Sequence, residues 1–173
     1  MSVVRFAIFD TAVGCCAIAW ADAGVVGTWL PGADPAATRR AVLRRHPDAE
    51  EAPPSLPVAE AIAGITRLLA GDEVDLRGVQ LDMTGVPEFQ QQVYAVIRAL
   101  PRGVTMTYGE IAAKVGAPGA AQAVGQAMGH NPFPIVVPCH RVLAAGGANG
   151  GFSAPGGVDT KLKLLAIEGA TLF

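Results

Sequence analysis

Two short helical segments joined by a glycine constrain the fold of this chain more than any other feature. In residues 106–116, MTYGEIAAKVG, Thr107 and Glu110 have the spacing of a capping box, in which each side chain accepts a hydrogen bond from the other residue's backbone N–H. Gly116 closes the segment, because glycine commonly follows a helix C-terminus. Residues 119–129, GAAQAVGQAMG, predict a second helix. Helix, glycine turn and helix are the outline of a helix-turn-helix.

A third helical pattern lies just before this pair. The segment TGVPEFQQQVYAVIRALPRG places Phe89, Val93, Val96 and Ile97 on one face and reaches Pro101 at its end. Three helices in about 45 residues, each with an apolar face, predict a small helical domain.

The first half of the chain has a different pattern. Three apolar, partly β-branched segments are separated by short turn sequences, which favours an antiparallel meander; they are VRFAIF, CCAIAWA and GVVGTWL, within residues 4–30. Helical spacing follows at 35–45 and 58–69, with an exposed linker at 47–55 between them, and VQLDM at 79–83 predicts another strand. We therefore predict the α+β class, with a small α+β domain over 1–84 containing an antiparallel sheet, and a second domain over 85–173.

The composition fits a well-packed protein of 173 residues, since 51% are hydrophobic and 16% are charged. No apolar run approaches the ~18 to 20 residues that a membrane span requires, and the N-terminus lacks the form of a signal peptide. Three cysteines cannot make a paired disulfide framework. We expect a cytoplasmic protein that has no membrane partner.

The net charge of −2 is unevenly distributed. Residues 1–84 hold seven Lys and Arg against eleven Asp and Glu, whereas residues 85–173 hold six against four. The second half is thus the more basic, and we expect any contact with phosphates there.

The cysteines divide into an adjacent pair and an isolated residue. Cys15 and Cys16 fall in a predicted strand and are expected to pack as small apolar residues. Cys139 lies in the segment PIVVPCHRV, where His140 is a candidate base and Glu168 a candidate partner that orients it. With three histidines and no Cys-x-x-Cys pair, the chain is poorly supplied for a metal site, and we predict none. A cysteine hydrolase remains open at this point.

The sequence PCHRV, preceded by GHNPFPIVV and followed by GGFSAPGGVDTKLKLLAIEG, resembles the active-site region of the alkylguanine-DNA alkyltransferases. These are also called methylated-DNA:protein-cysteine methyltransferases. The resemblance extends from about Phe89 to Ala170 and includes the helix-turn-helix. It implies a winged helix-turn-helix-like alkyltransferase domain and a DNA-repair reaction without a cofactor. In that reaction Cys139 takes an alkyl group from the exocyclic oxygen of guanine, with thymine as a further candidate, and the protein is consumed.

The resemblance also implies a role for each matched residue. Cys139 would accept the alkyl group after His140, through a water molecule, and Glu168 had generated its thiolate. Tyr108 would donate a proton to the leaving base, and Asn131 would brace the turn. Guanine would be held by Met128, Val142, Phe152 and Ser153, and DNA would be contacted by Tyr108, Ala120, Ala121 and Gln122.

The implied partner is double-stranded DNA containing alkylated guanine, bound through the minor groove by a monomer. One departure is Gln122, which stands where the family usually has an arginine that enters the space left by the extruded base. We expect this protein to flip bases out of duplex DNA less effectively than such relatives, because glutamine has neither the charge nor the guanidinium plane. Phe152, where many relatives have tyrosine, is a second departure. A DNA-damage binder that does not transfer the alkyl group is the alternative function, and a cysteine hydrolase the further one.

Overall fold

The computed structural model describes residues 3–144 and 157–170, apart from the side chain of Val158. The chain divides into two compact units, Met1–Met83 and Thr84–Phe173. Within the described ranges, every helix is too short or too polar to cross a lipid bilayer.

The predicted meander of unit 1 is confirmed. The strands β1 (Arg5–Thr11), β2 (Gly14–Ala21) and β3 (Gly24–Trp29) pair antiparallel in succession. Their tight connections keep neighbours in sequence adjacent in the sheet. A short edge strand, β4 (Glu50–Glu51), joins β1 in parallel, so the sheet order is β3-β2-β1-β4.

Two helices complete unit 1. Helix α1 (Pro35–Arg45) begins where Asp34 accepts a hydrogen bond of 2.7 Å from Ala37 N, and α2 is Leu56–Leu69. Helix α1 packs on β2 and β1, and a core forms from Phe6, Ala17, Ala19 and Val42. Both cysteines of β2 are buried as predicted, and burial raises the pKa of Cys16 to about 11. They are therefore inert thiols.

Two expectations for unit 1 are wrong in part. The segment VQLDM forms no strand. Leu81 makes an isolated bridge to Val25 in β3, through hydrogen bonds from Val25 N to Gln80 O and from Asp82 N to Val25 O. The linker at 47–55 is not wholly irregular, because Glu50 and Glu51 supply β4. An exposed, charged pair of residues carries no apolar alternation, which is why the sequence pattern missed this edge strand.

Unit 2 contains the predicted helix-turn-helix. Helix α3 (Glu88–Arg98) precedes α4 (Tyr108–Lys114) and α5 (Ala121–Gly129). The capping box of α4 is present, with Glu110 N donating to Thr107 Oγ1 at 3.1 Å and Thr107 N donating to Glu110 Oε1 at 3.0 Å. Gly116, at φ +79°, ends α4 in a Schellman arrangement, since Ala117 N donates to Ala112 O.

The buried face of α3 differs from the prediction. Val93 and Ile97 are buried as expected, but Tyr94 is fully buried and Val96 only partly. The Tyr94 hydroxyl donates a 2.7 Å hydrogen bond to the carbonyl of Ala127 on α5. A buried tyrosine is stable when its polar end finds such a partner, and the bond ties α3 to α5.

The rest of unit 2 surrounds Cys139. A 3₁₀ turn, Cys139–Arg141, leads into β6 (Val142–Leu143), which pairs in parallel with β5 (Met106–Thr107). Helix α6 is Gly157–Ile167 and packs on the 3₁₀ turn. With the N-terminal meander, this helical unit gives the α+β class that was predicted.

Candidate active site

The pairing of β5 with β6 brings the two halves of the candidate site together. Met106 lies opposite Val142, and Thr107 lies opposite Leu143. Tyr108 follows β5 directly and begins α4, while Cys139 begins the turn that leads into β6. Residues more than 30 positions apart in sequence therefore meet at one end of the helix-turn-helix.

Asn131 holds the segment that leads to Cys139. Its Nδ2 donates to Val137 O at 3.0 Å, and its Oδ1 accepts from Phe133 N at 2.9 Å. Between these anchors Ile135 is buried at φ +78°, a conformation that costs a β-branched residue roughly 1–3 kcal/mol. The side chain of Asn131 thus braces the turn, as the resemblance implied, and the turn holds a strained residue four positions before the thiol.

A buried ionic network lies behind Cys139. Glu168, 5% exposed, accepts from His140 Nε2 at 2.8 Å and from Arg141 Nε at 2.9 Å, and Arg141 Nη2 donates to its other oxygen. Arg141 also donates from Nη1 to Leu100 O at 2.7 Å. Burial alone would raise the pKa of Glu168, but hydrogen bonds from Arg141 and His140 outweigh burial and lower that pKa to about 2. Glu168 is therefore an anion at neutral pH.

The network fixes the protonation of His140. This ring is 1% exposed, and burial lowers its pKa against the opposing effect of Glu168, so it is neutral at physiological pH. Because Nε2 faces a carboxylate, Nε2 carries the proton and Nδ1 has the free lone pair. Nδ1 is buried and makes no hydrogen bond within the described part of the chain. His140 is thus set up as a base at Nδ1.

Acid should weaken this network in a defined pH range. The pKa of Glu168 falls from its ordinary value of 4.5 to about 2 on folding, so its stabilisation is present above about pH 4.5 and is lost as pH falls toward 2. The loss is about 3 kcal/mol. Urea titrations of wild type and of Glu168→Gln between pH 6 and pH 2 measure it. The difference in stability between them should shrink by about that amount; a constant difference would contradict the assignment.

Lys161 is a residue of the candidate site that the sequence analysis missed. It lies in α6, is 1% exposed, and donates from Nζ to Val142 O at 2.6 Å. Burial raises the pKa of Cys139, which is 8% exposed, while Asn131 and the positive charge of Lys161 lower it. Burial likewise lowers the pKa of Lys161, and the thiolate opposes that effect. The lysine therefore stabilises a thiolate that the apolar surroundings disfavour. An apolar helix with a lysine on its buried face was the available signal.

Tyr108 is close enough to Cys139 for their charges to interact. Burial raises the pKa of Tyr108, and the charge of the Cys139 thiolate raises it further. The phenol therefore keeps its proton at neutral pH, which a proton donor requires.

The predicted guanine-binding residues have different surroundings. Met128 is buried in the last turn of α5. Val142 N donates to Cys139 O, and Val142 O accepts from Lys161, so a guanine bound there would share a carbonyl that is already bonded. Phe152 and Ser153 lie outside the described residues.

The predicted DNA-contacting residues surround the start of α5. Ala120 is the residue before this helix, and Ala121 and Gln122 are its first two residues. Ala121, Gln122 and Tyr108 line one groove of about 540 Å³ between α4 and α5, together with Thr107, Gly109, Gly125 and Gln126. Gln126 was not among the predicted residues, although it follows Gln122 by one helical turn.

No group of three or more His, Cys, Asp or Glu side chains is placed to bind a metal ion among residues 3–144 and 157–170. The chemistry available at the described site is that of a thiol, a neutral imidazole, a carboxylate, a phenol and an ammonium group.

Comparison with known proteins identifies the family. The family model for the 6-O-methylguanine DNA methyltransferase DNA-binding domain matches residues 88–170. The crystal structure of Mycobacterium tuberculosis O6-methylguanine methyltransferase matches with a TM-score of 0.75 and 34% identity, over 96% of this chain and 93% of that one. The chain belongs to the 6-O-methylguanine DNA methyltransferase family. The resemblance predicted from PCHRV and its flanking motifs is confirmed.

Other methyltransferases are also similar to this chain in sequence or in structure. The methylated-DNA--protein-cysteine methyltransferase of Mycolicibacterium paratuberculosis is 47% identical over 110 residues, and the match spans 64% of each protein. The structure of Mycobacterium tuberculosis OGT in complex with DNA matches with a TM-score of 0.74 and 34% identity, over 95% of this chain and 92% of that one. The structural likeness to the methyltransferases thus includes the N-terminal half, where the sequence motifs are weakest.

Proposed function

We propose that this protein repairs DNA by transferring an alkyl group, such as methyl, from the exocyclic oxygen of alkylated guanine to Cys139. Thymine alkylated at the same kind of oxygen is a further candidate substrate. The observation that carries the proposal is the buried Glu168–His140 pair behind Cys139, in which the imidazole is neutral and Nδ1 keeps its lone pair. That arrangement supplies a base beside a thiol that burial keeps protonated.

The reaction follows from these groups. The Cys139 thiol gives its proton to His140 Nδ1 through a water molecule, and the positive charge of Lys161 stabilises the thiolate. The thiolate sulfur attacks the alkyl carbon, and the bond from that carbon to the guanine oxygen breaks with its electron pair moving to the base. Tyr108 protonates the base, and the proton removed from the thiol returns to Tyr108 by way of His140 and solvent.

The product explains why one molecule acts once. A thioether has no carbonyl for water to attack, so the sulfur–carbon bond persists and Cys139 is not regenerated. The thiol, its base and the proton donor are held in place beforehand, which lowers the entropic part of the barrier. Neither a cofactor nor a metal ion is needed for this displacement.

The proposed partner is double-stranded DNA, approached through the minor groove by the α4–α5 face of a monomer in the cytoplasm. The DNA complex of Mycobacterium tuberculosis OGT supports DNA binding by this fold. An alkylated base inside a duplex must be extruded to reach a buried thiol, at a cost of roughly a few kcal/mol. We assign DNA binding and alkyl acceptance to the domain over 85–173. We assign neither activity to the α+β domain over 1–84.

The mass of the intact protein tests the proposal. Incubation with a duplex containing one O6-methylguanine should add one methyl group, about 14 Da, and peptide mapping should place it on Cys139. Cys139→Ser should remain unmodified, whereas Cys16→Ser should react like wild type, because Cys16 is a buried thiol in the other unit.

The same experiment discriminates the alternative functions. Binding of the duplex without an adduct would indicate a damage binder. Repeated turnover of an ester or amide without a lasting adduct would indicate a cysteine hydrolase. Either result would overturn the proposal.

A further inference from the structure

The groove between α4 and α5 lacks the positive charge expected of a DNA-binding surface. Helix α5 contains no Asp, Glu, Lys or Arg. The seven residues that line its groove with α4 are all uncharged. Glu110 is the carboxylate closest in sequence to the groove-lining residues, since it follows Gly109. Its Oε1 accepts a hydrogen bond from the backbone N–H of Thr107, another lining residue.

Two glutamines are the longest polar side chains in that groove. Gln122 and Gln126 are both exposed and lie four residues apart, so they project from the same side of α5. Each amide offers two donors and an acceptor. The minor groove presents acceptors on every base pair and an amino donor on guanine. The two amides are therefore chemically matched to base edges, and they carry no charge that would displace counterions from phosphates.

Of the six Lys and Arg of unit 2, two are buried in its interior and two more are partly buried. Arg141 is buried against Glu168, and Lys161 is buried against Val142 O. Arg102 donates to Ile167 O at 2.8 Å at the end of α6, and Arg98 is half-buried in α3. The positive balance of residues 85–173 therefore does not produce a positive surface.

The exposed charges of unit 2 confirm this. Among residues 84–144 and 157–170 the exposed cations are Lys114 and Lys163, and Arg98 and Arg102 are partly exposed. The exposed carboxylates in the same ranges are Glu88, Glu110 and Asp159. Residues 145–156 contain no charged side chain by sequence. Among the described residues of unit 2, the exposed carboxylates thus outnumber the exposed cations.

We propose that the α4–α5 face binds DNA through uncharged contacts, chiefly the amides of Gln122 and Gln126, and that binding releases few counterions. The inference rests on the proposed function in taking DNA as the ligand, and it adds Gln126 as a DNA-binding residue. Affinity for undamaged DNA is then low, because non-specific binding comes from phosphate contacts. Contacts available at an extruded base supply the remaining affinity.

The salt dependence of binding measures this directly. Each phosphate contact contributes about −0.9 to the slope of log Kobs against log salt concentration. If phosphate contacts are limited to the two exposed lysines of unit 2, the slope is about −2, and affinity falls only about tenfold from 50 to 200 mM salt. Proteins with six to ten phosphate contacts lose about 10³- to 10⁵-fold over that range.

The experiment uses the full chain with Cys139→Ser, so that binding is not followed by reaction, and a fluorescent duplex containing one O6-methylguanine. Fluorescence anisotropy gives Kd between 50 and 200 mM KCl. In this background, Gln126→Lys should steepen the slope by about 0.9, because the new cation lies on the contact face. The matched control is Gln92→Lys on the exposed side of α3, which should leave the slope unchanged.

The outcomes are separable from those of the proposed function. A starting slope clearly steeper than about −2 would overturn the inference, as would an equal effect of Gln92→Lys and Gln126→Lys. The unsubstituted protein is tested in parallel for its methyl adduct on the same duplex. A methyl adduct together with a steep salt slope would contradict the inference about uncharged contacts and leave the proposed alkyl transfer supported. If the protein neither binds the duplex nor forms an adduct, both the inference and the proposed function are wrong.

Discussion

Replacing Glu168 with glutamine should slow alkyl transfer at least about 100-fold and lower the free energy of unfolding by about 3–5 kcal/mol. The carboxylate accepts hydrogen bonds from both His140 and Arg141 inside the protein. Glutamine keeps the shape but removes the charge and turns one acceptor into a donor. Arg141 then remains as a buried cation without a counter-ion, and His140 loses the group that fixes its tautomer.

Glu110→Gln provides the matched control for this change. Glu110 is an exposed carboxylate in the capping box of α4, and glutamine serves equally at that position. We expect a change in stability below about 1 kcal/mol. The transfer rate from a free alkylated guanine base, which needs no DNA contact, should be unchanged. A Glu168→Gln protein as active as Glu110→Gln would contradict the assigned role.

A second substitution separates catalysis from folding. If Glu168→Gln alone does not fold, the double variant Arg141→Met with Glu168→Met removes both charges, and replacing a buried ion pair by apolar residues is often neutral for stability. The double variant should recover most of the lost stability. It should still be slow in transfer, because His140 has no carboxylate. Recovery of the transfer rate together with stability would assign Glu168 a structural role alone.

Replacing Lys161 with methionine is expected to reduce transfer about tenfold or more while leaving the fold intact. Lys161 is the cation that favours the Cys139 thiolate against burial. Without it the pKa of Cys139 rises further, and one unit in pKa corresponds to a factor of ten in thiolate. Methionine fills a similar volume, and removing a buried charge offsets the lost hydrogen bond to Val142 O.

The pH dependence of thiol reactivity gives a readout that packing alone does not affect. The rate of Cys139 alkylation by iodoacetamide should rise at higher pH in Lys161→Met than in wild type. Lys163→Met is the control, because Lys163 is exposed two residues further along the same helix. Identical pH profiles for Lys161→Met and wild type would rule out an electrostatic role.

Local features of the fold were predictable because the interactions that form them lie within a few residues. The capping box at Thr107 and Glu110 and the turn at Gly116 are closed by bonds spanning three to five residues. The antiparallel meander of unit 1 follows similarly from short turns between apolar strands. The edge strand at Glu50–Glu51 could not be predicted in this way, because it depends on a distant partner, β1.

For the candidate site, the sequence predicted which residues take part but not how they contact one another. The segment around Cys139 predicted the candidate nucleophile with His140 and Glu168 as candidate partners, and the resemblance added the remaining roles. The bond between those two spans 28 residues, and nothing in their spacing required it. Lys161 was missed for the same reason, since a lysine in a helix is usually solvated, and its position became evident only when α6 packed on the turn.

The sequence by itself determined the capped helices, the strand meander, the family and the candidate thiol, because local hydrogen bonding and ordered motifs specify them. The tertiary structure decided the rest. It paired β5 with β6 to bring Tyr108 near Cys139, buried Glu168 between His140 and Arg141, and buried the cations Arg141 and Lys161. Charge counted along a chain does not reveal which charges reach the surface, because burial depends on contacts between distant residues. For this protein that difference separates the positive balance of residues 85–173 from the uncharged groove between α4 and α5.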